Sequence, residues 1–257
     1  MADAWNPGQY GKFAAERAQP FWDLVGLIET DRPIRRAVDL GCGTGELTVA
    51  AAGRLGVRSM VGIDSSPKML AKAPPGLTVH EGDLATWTSA GDHDLVLANA
   101  SLQWVPDHAG VLTRWWAALD DGGQLAVQVP ANADHPSHRV AAEVAATEPF
   151  ASAMGGTPPP DPVARNVLAP EQYAVLLHHL GAAGQHVRLQ VYGHVLASSH
   201  DVVEWVRGTS LTRFTDKLPD DLHDRFVDEY RRRLLEAIGD TAPYFYPFKR
   251  ILFWARR

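Results

Sequence analysis

The run Val38-Asp39-Leu40-Gly41-Cys42-Gly43-Thr44-Gly45 constrains this chain more than any other segment, because an apolar strand stops abruptly in a glycine loop that opens a helix. Alternate glycines let the backbone take positive φ and let a ligand approach closer than a Cβ would allow. The amides at the following helix start face outward and favour a charged ligand group. A dinucleotide fingerprint would read G-x-G-x-x-G/A. Here the spacing is G-x-G-x-G, with Glu46 where that pattern wants its last small residue. Asp39 beside the loop would repel a pyrophosphate and attract an ammonium or a sulfonium. The loop taken alone leaves three readings open: a sulfonium nucleoside, a nicotinamide cofactor, or a tight structural turn.

The downstream residues narrow the choice. Val61-Gly62-Ile63-Asp64 reads as the end of a second strand, with Asp64 nineteen positions after Gly45 and Ser65 beside it. Folds of this kind place there a carboxylate that binds two ribose hydroxyls. Gly82-Asp83-Leu84 follows a short strand, Leu77 to His80, so that Asp83 can accept from an adenine amino group while Leu84 offers its backbone amide. A fourth apolar strand, Asp94 to Ala100, carries Asn99 to a point opposite the glycine loop. Each residue has a plainer reading as well: Asp64 as a helix cap, Asp83 and Asn99 as turn formers. Their order along the chain points to an adenosine ligand held by Asp39, Gly41, Gly43, Gly45, Asp64, Ser65, Asp83, Leu84 and Asn99.

With these motifs the chain resembles the class I S-adenosylmethionine-dependent methyltransferases, and within them the branch that methylates trans-aconitate. The resemblance rests on Trp5-Asn6-Pro7 with Tyr10, Phe13 and Arg17; on Val61 to Pro67; and on the specific run Ala98-Asn99-Ala100-Ser101-Leu102-Gln103-Trp104-Val105-Pro106-Asp107-His108. It continues in Leu125 to Pro130 with Asn132, Tyr192 with His194, Trp205-Val206, and Phe253 to Arg257. It departs in the proline- and glycine-rich stretch Thr147 to Ala164 and at Thr212-Arg213, where the family's Leu-Arg-Pro becomes Leu-Thr-Arg. The resemblance implies S-adenosyl-L-methionine as cofactor, a small anionic polycarboxylate as substrate, and formation of a monomethyl ester. It also promotes Tyr10, Arg17, Gln103, Trp104, Asn132, His138, Tyr192, His194, Arg213 and Arg250 to substrate-site candidates.

Alternating strand and helix patterns from Ala37 to Pro130 predict an α/β fold, a doubly wound, seven-stranded Rossmann-like sheet. Helices are expected over Glu46–Leu55, Pro67–Lys72 and His108–Leu119. Asp120-Asp121-Gly122-Gly123 reads as punctuation before a fifth strand, Gln124–Val129. After Pro130 the pattern loosens: Pro136–Ala146 and Pro170–Leu180 read as helices, Gly155 to Pro160 as a loop, and His186–Ala197 as a sixth strand. Helices over Asp201–Gly208 and Leu222–Ile238 precede a last strand, Phe248–Ala255. The expectation is one domain over 1–257, with a helical cap built from an N-terminal segment, 1–30, and an insertion, 199–243.

Bulk properties agree with an enzyme of the cytosol. Hydrophobic residues make up 46% of 257, enough for a large core. The single cysteine, Cys42, cannot pair within the chain and fits a tight turn. A net charge of -6 leaves no basic footprint for nucleic acid. No apolar run of membrane length occurs. Eleven histidines without ligand spacing give no metal site, and nothing bears on oligomeric state. A carboxylate substrate is already ionised at pH 7 and needs no general base, so Gln103 and Trp104 are expected to position it, Gln103 or Tyr192 donating to the reacting oxygen. The competing readings are a methyltransferase directed at carbon or nitrogen, a nicotinamide oxidoreductase, and a non-catalytic nucleotide-binding module.

Overall fold

In a computed structural model, which describes the backbone from Ala14 and the side chains from Ala18 to the last residue, the predicted alternation becomes a seven-stranded sheet. Its strands are β1 (Arg36–Leu40), β2 (Ser59–Asp64), β3 (Thr78–Glu81), β4 (His93–Asn99), β5 (Leu119–Pro130), β6 (Gly184–Leu196) and β7 (Tyr244–Arg256), in the order β3-β2-β1-β4-β5-β7-β6. The first five run parallel, and β7 is antiparallel to β5. The order reverses direction between β1 and β4. Such a switch point opens a crevice at the carboxyl ends of the strands.

The described helices are α1 (Ala14–Val25), α2 (Glu46–Leu55), α3 (Pro67–Leu70), α4 (His108–Ala117), α5 (Pro136–Ala145), α6 (Phe150–Ala153), α7 (Pro162–Asn166), α8 (Pro170–His179), α9 (Asp201–Arg207), α10 (Thr212–Thr215) and α11 (Asp220–Ile238). Local signals account for their ends. Pro67, Pro136 and Pro170 stand in the first turns of α3, α5 and α8, where a missing N–H costs nothing. Gly56, with φ 64°, closes α2.

Two expectations are revised. The Asp120 to Gly123 run is not a turn ahead of β5 but lies inside it: His93 pairs with Leu119 and Leu95 with Gln124, so the extra residues are accommodated as an irregularity in the ladder. The loop expected in the proline-rich stretch is bracketed by two short helices, α6 and α7, too brief to leave a periodic trace.

The chain divides into two compact units. The sheet unit comprises Arg17–Pro130, Asn166–Gln190 and Arg250–Arg257; the helical unit comprises, among the described residues, 14–16, Ala131–Arg165 and Val191–Lys249. The core of the sheet unit is the fully buried Leu95 to Ala98 of β4 and Leu125 to Val127 of β5, with Leu40, Trp115 and Leu24. Phe21, Leu24, Val25 and Ile28 are buried as well, so the described part of the N-terminal segment is core of this unit. Gln124 ties its elements together: its amide donates to Glu29 O (2.9 Å), and its Oε1 accepts from Glu29 N (2.8 Å) and Trp254 Nε1 (2.7 Å). In the helical unit, Val140, Val144, Phe150, Val203, Val206, Phe214, Phe226, Tyr230 and Leu234 form a separate apolar core. Among the described residues no helix is long and apolar enough to cross a membrane.

Candidate active site

The sheet unit gathers its sequence-predicted residues at the carboxyl ends of β1 to β4. Gly41, Gly43 and Gly45 take φ of 83°, 58° and 77°, the left-handed region the spacing called for. At Gly41 the freedom is also steric, since a Cβ would run into the Ser101 side chain. Gly45 caps α2 without a side-chain hydrogen bond, so the first-turn amides of that helix are not satisfied by a cap. Asp39 lies beneath the loop, fully buried. Its Oδ2 accepts from Thr48 Oγ1 (2.5 Å), while Oδ1 has no partner. Burial, reinforced by the charge of Asp64 and opposed by the Thr48 hydrogen bond, pushes its carboxyl up to about 6.

Asp64 is half-buried and already engaged. Oδ2 accepts from Gly43 N (2.8 Å) and Oδ1 from Ser66 N (2.9 Å), so this carboxylate fastens the glycine loop to the start of α3. Each oxygen retains a second lone pair for a ligand hydroxyl. Ser65 is exposed, and Ser66, not singled out from sequence, is the buried cap of α3. Asp83 is exposed, its Oδ1 taken by Ala85 N (2.8 Å); Leu84 is buried, and its carbonyl accepts from Trp115 Nε1 (3.2 Å). Cys42 is a spacer: burial, with the charges of Asp39 and Asp64, pushes its thiol up to about 12.

β4 ends in a strained corner. Ala100, which has a Cβ, adopts φ 53°, and the chain then tightens into a 3-10 turn, Leu102–Trp104. Ser101 Oγ donates to Leu40 O (2.6 Å) and so pins this corner to the end of β1. Gln103 Nε2 donates to Ala100 O (2.6 Å), leaving buried Oε1 as its open atom. A carbonyl can only accept, so the amide orientation is fixed. One of the two Nε2 N–H groups is thus held by the backbone, and the second stays available to a ligand oxygen. Trp104 is 47% exposed, which excludes an ordinary core tryptophan. Asn99 Oδ1 is buried without a partner.

A buried histidine braces this turn. His108 Nε2 lies 3.0 Å from Leu102 O and Nδ1 lies 2.7 Å from Tyr173 Oη. Burial lowers the pKa of His108, so the neutral ring carries its proton on Nε2, facing the carbonyl, and accepts from the tyrosine on Nδ1. Tyr173 is in turn stacked on Phe253 at 4.6 Å.

The helical unit holds Asn132, His138, Tyr192, His194 and Arg213. His138 and Arg213 meet at Asp161: His138 Nδ1 is 2.8 Å and Arg213 Nη1 3.4 Å from Asp161 Oδ2, and Asp161 Oδ1 accepts from Val163 N (2.8 Å). Burial would raise the Asp161 carboxyl, yet the His138 hydrogen bond and the Arg213 charge bring it down to about 2. His194 packs against Trp205 (ring centroids 4.8 Å apart) and, like Tyr192, is buried. Asn132 Oδ1 accepts from Lys249 N (2.9 Å), a structural tie. Arg250 is half-buried in the sheet unit, opposite Pro130 in the β5–β7 ladder. Tyr10 and Phe13 lie outside the described residues, as does the Arg17 side chain. Among the described residues no group of histidine, cysteine and carboxylate side chains could hold a metal ion.

A methyltransferase-domain family matches residues 37–123, which lie wholly in the sheet unit. The protein of Deinococcus radiodurans named trans-aconitate 2-methyltransferase is 41% identical, covering 98% of both chains. One of the same name from Mycobacterium sp. (strain KMS) is 39% identical over 98% of this chain and 99% of its own. The chain belongs to the trans-aconitate 2-methyltransferase family. Among solved structures, the YcgJ protein of Bacillus subtilis shares the fold at a TM-score of 0.59 and 12% identity, over 92% of this chain and 98% of that one.

Within this family member, sequence reasoning missed Thr48, Ser66, Ser101 and Asp161. Thr48 and Ser101 sit inside segments that were read for other residues, and only contact reveals what they hold. Asp161 had no signal, lying in the proline-rich stretch where the chain parts from the family pattern.

Proposed function

We propose that the protein transfers a methyl group from S-adenosyl-L-methionine to one carboxylate of trans-aconitate, giving a monomethyl ester. Similarity to trans-aconitate 2-methyltransferases along the whole chain is the observation that carries this reading. The residues present fit the cofactor. Its amino-acid end is a zwitterion, and the loop offers both complements: Asp39, with one buried oxygen unpartnered, for the ammonium, and the uncapped first turn of α2 for the carboxylate. Asp64 would accept from the ribose hydroxyls, while Asp83 and the Leu84 amide would meet the adenine. Gly41, Gly43, Gly45, Ser65 and Asn99 line the same edge. When bound, the cofactor supplies an electrophilic methyl group whose departure leaves a neutral thioether.

The chain's own part is alignment. An attacking carboxylate has a pKa near 4 and needs no base at pH 7, and positioning alone contributes on the order of 7–11 kcal/mol in well-oriented systems. The Ala100 corner, clamped by Ser101 and braced by His108, fixes Gln103 and Trp104 next to the donor loop. Trp104 would supply an apolar cover against water, and Gln103, through its second N–H, or Tyr192 would donate to the reacting oxygen. Arg17, Arg250 and Arg213 or His194 would serve the carboxylates that do not react. An arginine on the attacking group would stabilise the ground state more than the transition state, in which that group loses its charge. An acidic small-molecule substrate, a single cysteine and a net charge of -6 support a cytosolic reaction without nucleic acid or membrane.

The test is incubation with radiolabelled S-adenosylmethionine and a panel of di- and tricarboxylates, phenols and amines. Label should enter a base-labile ester of trans-aconitate; transfer to amines or phenols and to no polycarboxylate would refute the substrate.

A further inference from the structure

One cation in the helical unit carries an unfilled recognition edge. The Arg213 side chain is 10% exposed, and its guanidinium lies over the Phe214 ring at 4.3 Å. Nη1 faces Asp161, but Nε and Nη2 are buried and have no hydrogen-bond partner. Those two nitrogens share one edge of the guanidinium plane, the edge whose parallel N–H groups match the two oxygens of a carboxylate. Leaving charged donors buried and unsatisfied is costly, so such an edge is poised for an anion.

Among the described residues none hydrogen-bonds to it. Asp161 is locked on the far side, with Oδ1 on Val163 N and Oδ2 on His138. Tyr230 Oη donates to Ser137 O (2.9 Å), and Ser137 Oγ is within reach of Tyr246 Oη (3.2 Å) and His135 Nδ1 (2.9 Å). Burial, with the charge of His138, brings His135 down to about 4, so it adds no competing cation at neutral pH. Tyr230, whose charged form would act on Arg213, thus has its own proton committed to Ser137 O. With Asp161 balancing Arg213, the site suits a singly charged planar anion better than a phosphate dianion.

We propose that Arg213 Nε and Nη2 form a bidentate clamp for one non-reacting carboxylate of the acceptor, and that Asp161, itself oriented by His138, is the positioning residue that holds the clamp edge-on. The proposal rests on the polycarboxylate reading and states which residue selects polycarboxylates over monocarboxylates. A lysine at 213 would keep the charge and lose the fork.

Calorimetry on the S-adenosylhomocysteine-loaded protein tests this with two acids: trans-aconitate, which carries three carboxylates, and crotonate, which carries one. Arg213→Met should weaken trans-aconitate binding by about 100-fold, the loss expected for two charge-assisted hydrogen bonds, and Arg213→Lys by about 10-fold. Asp161→Asn should weaken it several-fold, while crotonate binding shifts less than about twofold in all three. Thermal melts and S-adenosylhomocysteine affinity identify any variant that has lost its fold, and Arg213→Lys, the mildest change, then decides. Trans-aconitate binding equal to wild type in a folded Arg213→Lys and Arg213→Met, or equal losses for the two acids, would overturn the clamp. If the wild type methylates trans-aconitate while the variants bind it normally, the clamp falls and the function stands. If the wild type binds trans-aconitate through Arg213 but transfers no methyl group, the function falls and the clamp stands.

Discussion

Replacing Asp39 with Asn should uncouple the stability of the protein from pH between about 4 and 8. The buried carboxyl titrates near 6 in the folded chain against an ordinary 3.8, chiefly because burial disfavours its charge. A group whose folded pKa is raised gives stability that is fully present below the unfolded value and is lost as pH rises through the folded one. A rise of about two pH units is worth ~3 kcal/mol in all, of which roughly half, ~1.4 kcal/mol, is lost between pH 5 and pH 8. Asparagine does not titrate, so the stability of the variant minus that of the wild type should grow by that ~1.4 kcal/mol over the same interval, ~3–5 °C in Tm for a chain of this size. The absolute offset is a separate matter, because the new amide places a buried donor where Oδ1 has no partner, at a cost of ~1–3 kcal/mol. Urea denaturation of both proteins at pH 5, 6, 7 and 8, without ligand, isolates the slope. Titration with S-adenosylhomocysteine supplies the complement: wild-type affinity should rise with pH through about 6, as the carboxylate forms opposite the ligand ammonium, and the variant should lack that rise. A stability difference that stays flat from pH 5 to pH 8 would refute the raised pKa and the ammonium assignment built on it.

Asp64→Ala should weaken S-adenosylhomocysteine binding and also lower the Tm, since the carboxylate holds Gly43 N and Ser66 N; unchanged affinity by calorimetry would remove the ribose assignment. Gly41→Ala should cost ~2–4 kcal/mol through left-handed strain and overlap with Ser101, and Ser101→Gly should restore part of it in the double variant, read from denaturation midpoints. His108→Phe, which takes one of two hydrogen bonds from Leu102 O and one of two from Tyr173 Oη, should lower kcat about tenfold with donor affinity intact, the order expected for ~0.5–1.5 kcal/mol per bond; equal loss of donor binding would show that the brace serves the fold alone. Cys42, its thiol pushed up to about 12, should resist iodoacetamide at pH 8 in the native protein, as followed by mass spectrometry.

The sheet was legible because its cues are local. Leu95 to Ala98 is an unbroken apolar run, proline marks the starts of α3, α5 and α8, and α2 runs over Glu46–Leu55 as its periodicity predicts. What sequence could not supply was which way groups face once folded. Gln103 reads as a donor in the chain, and only the 2.6 Å contact to Ala100 O reveals that one of its two N–H groups is tied to the backbone. Asp64 reads as a ligand group, and the structure adds a second duty at the glycine loop. Asp161 was unreadable for a different reason: it acts through residues 23 and 52 positions away, His138 and Arg213, and no periodicity links positions so far apart.

Each unit is assembled from discontinuous stretches of chain, and the methyltransferase-domain match stops at residue 123, ahead of the helical-unit stretch that begins at Ala131. A domain assignment made from that match alone reports on the half that carries the glycine loop and is silent about Arg213 and Asp161. Segments 131–165 and 191–249 lie wholly outside the residues the match inspects. Chimaeras that swap both stretches together are the natural units for re-engineering acceptor choice; swapping one alone would separate Asp161 from Arg213 and leave a buried charge on each side of the junction.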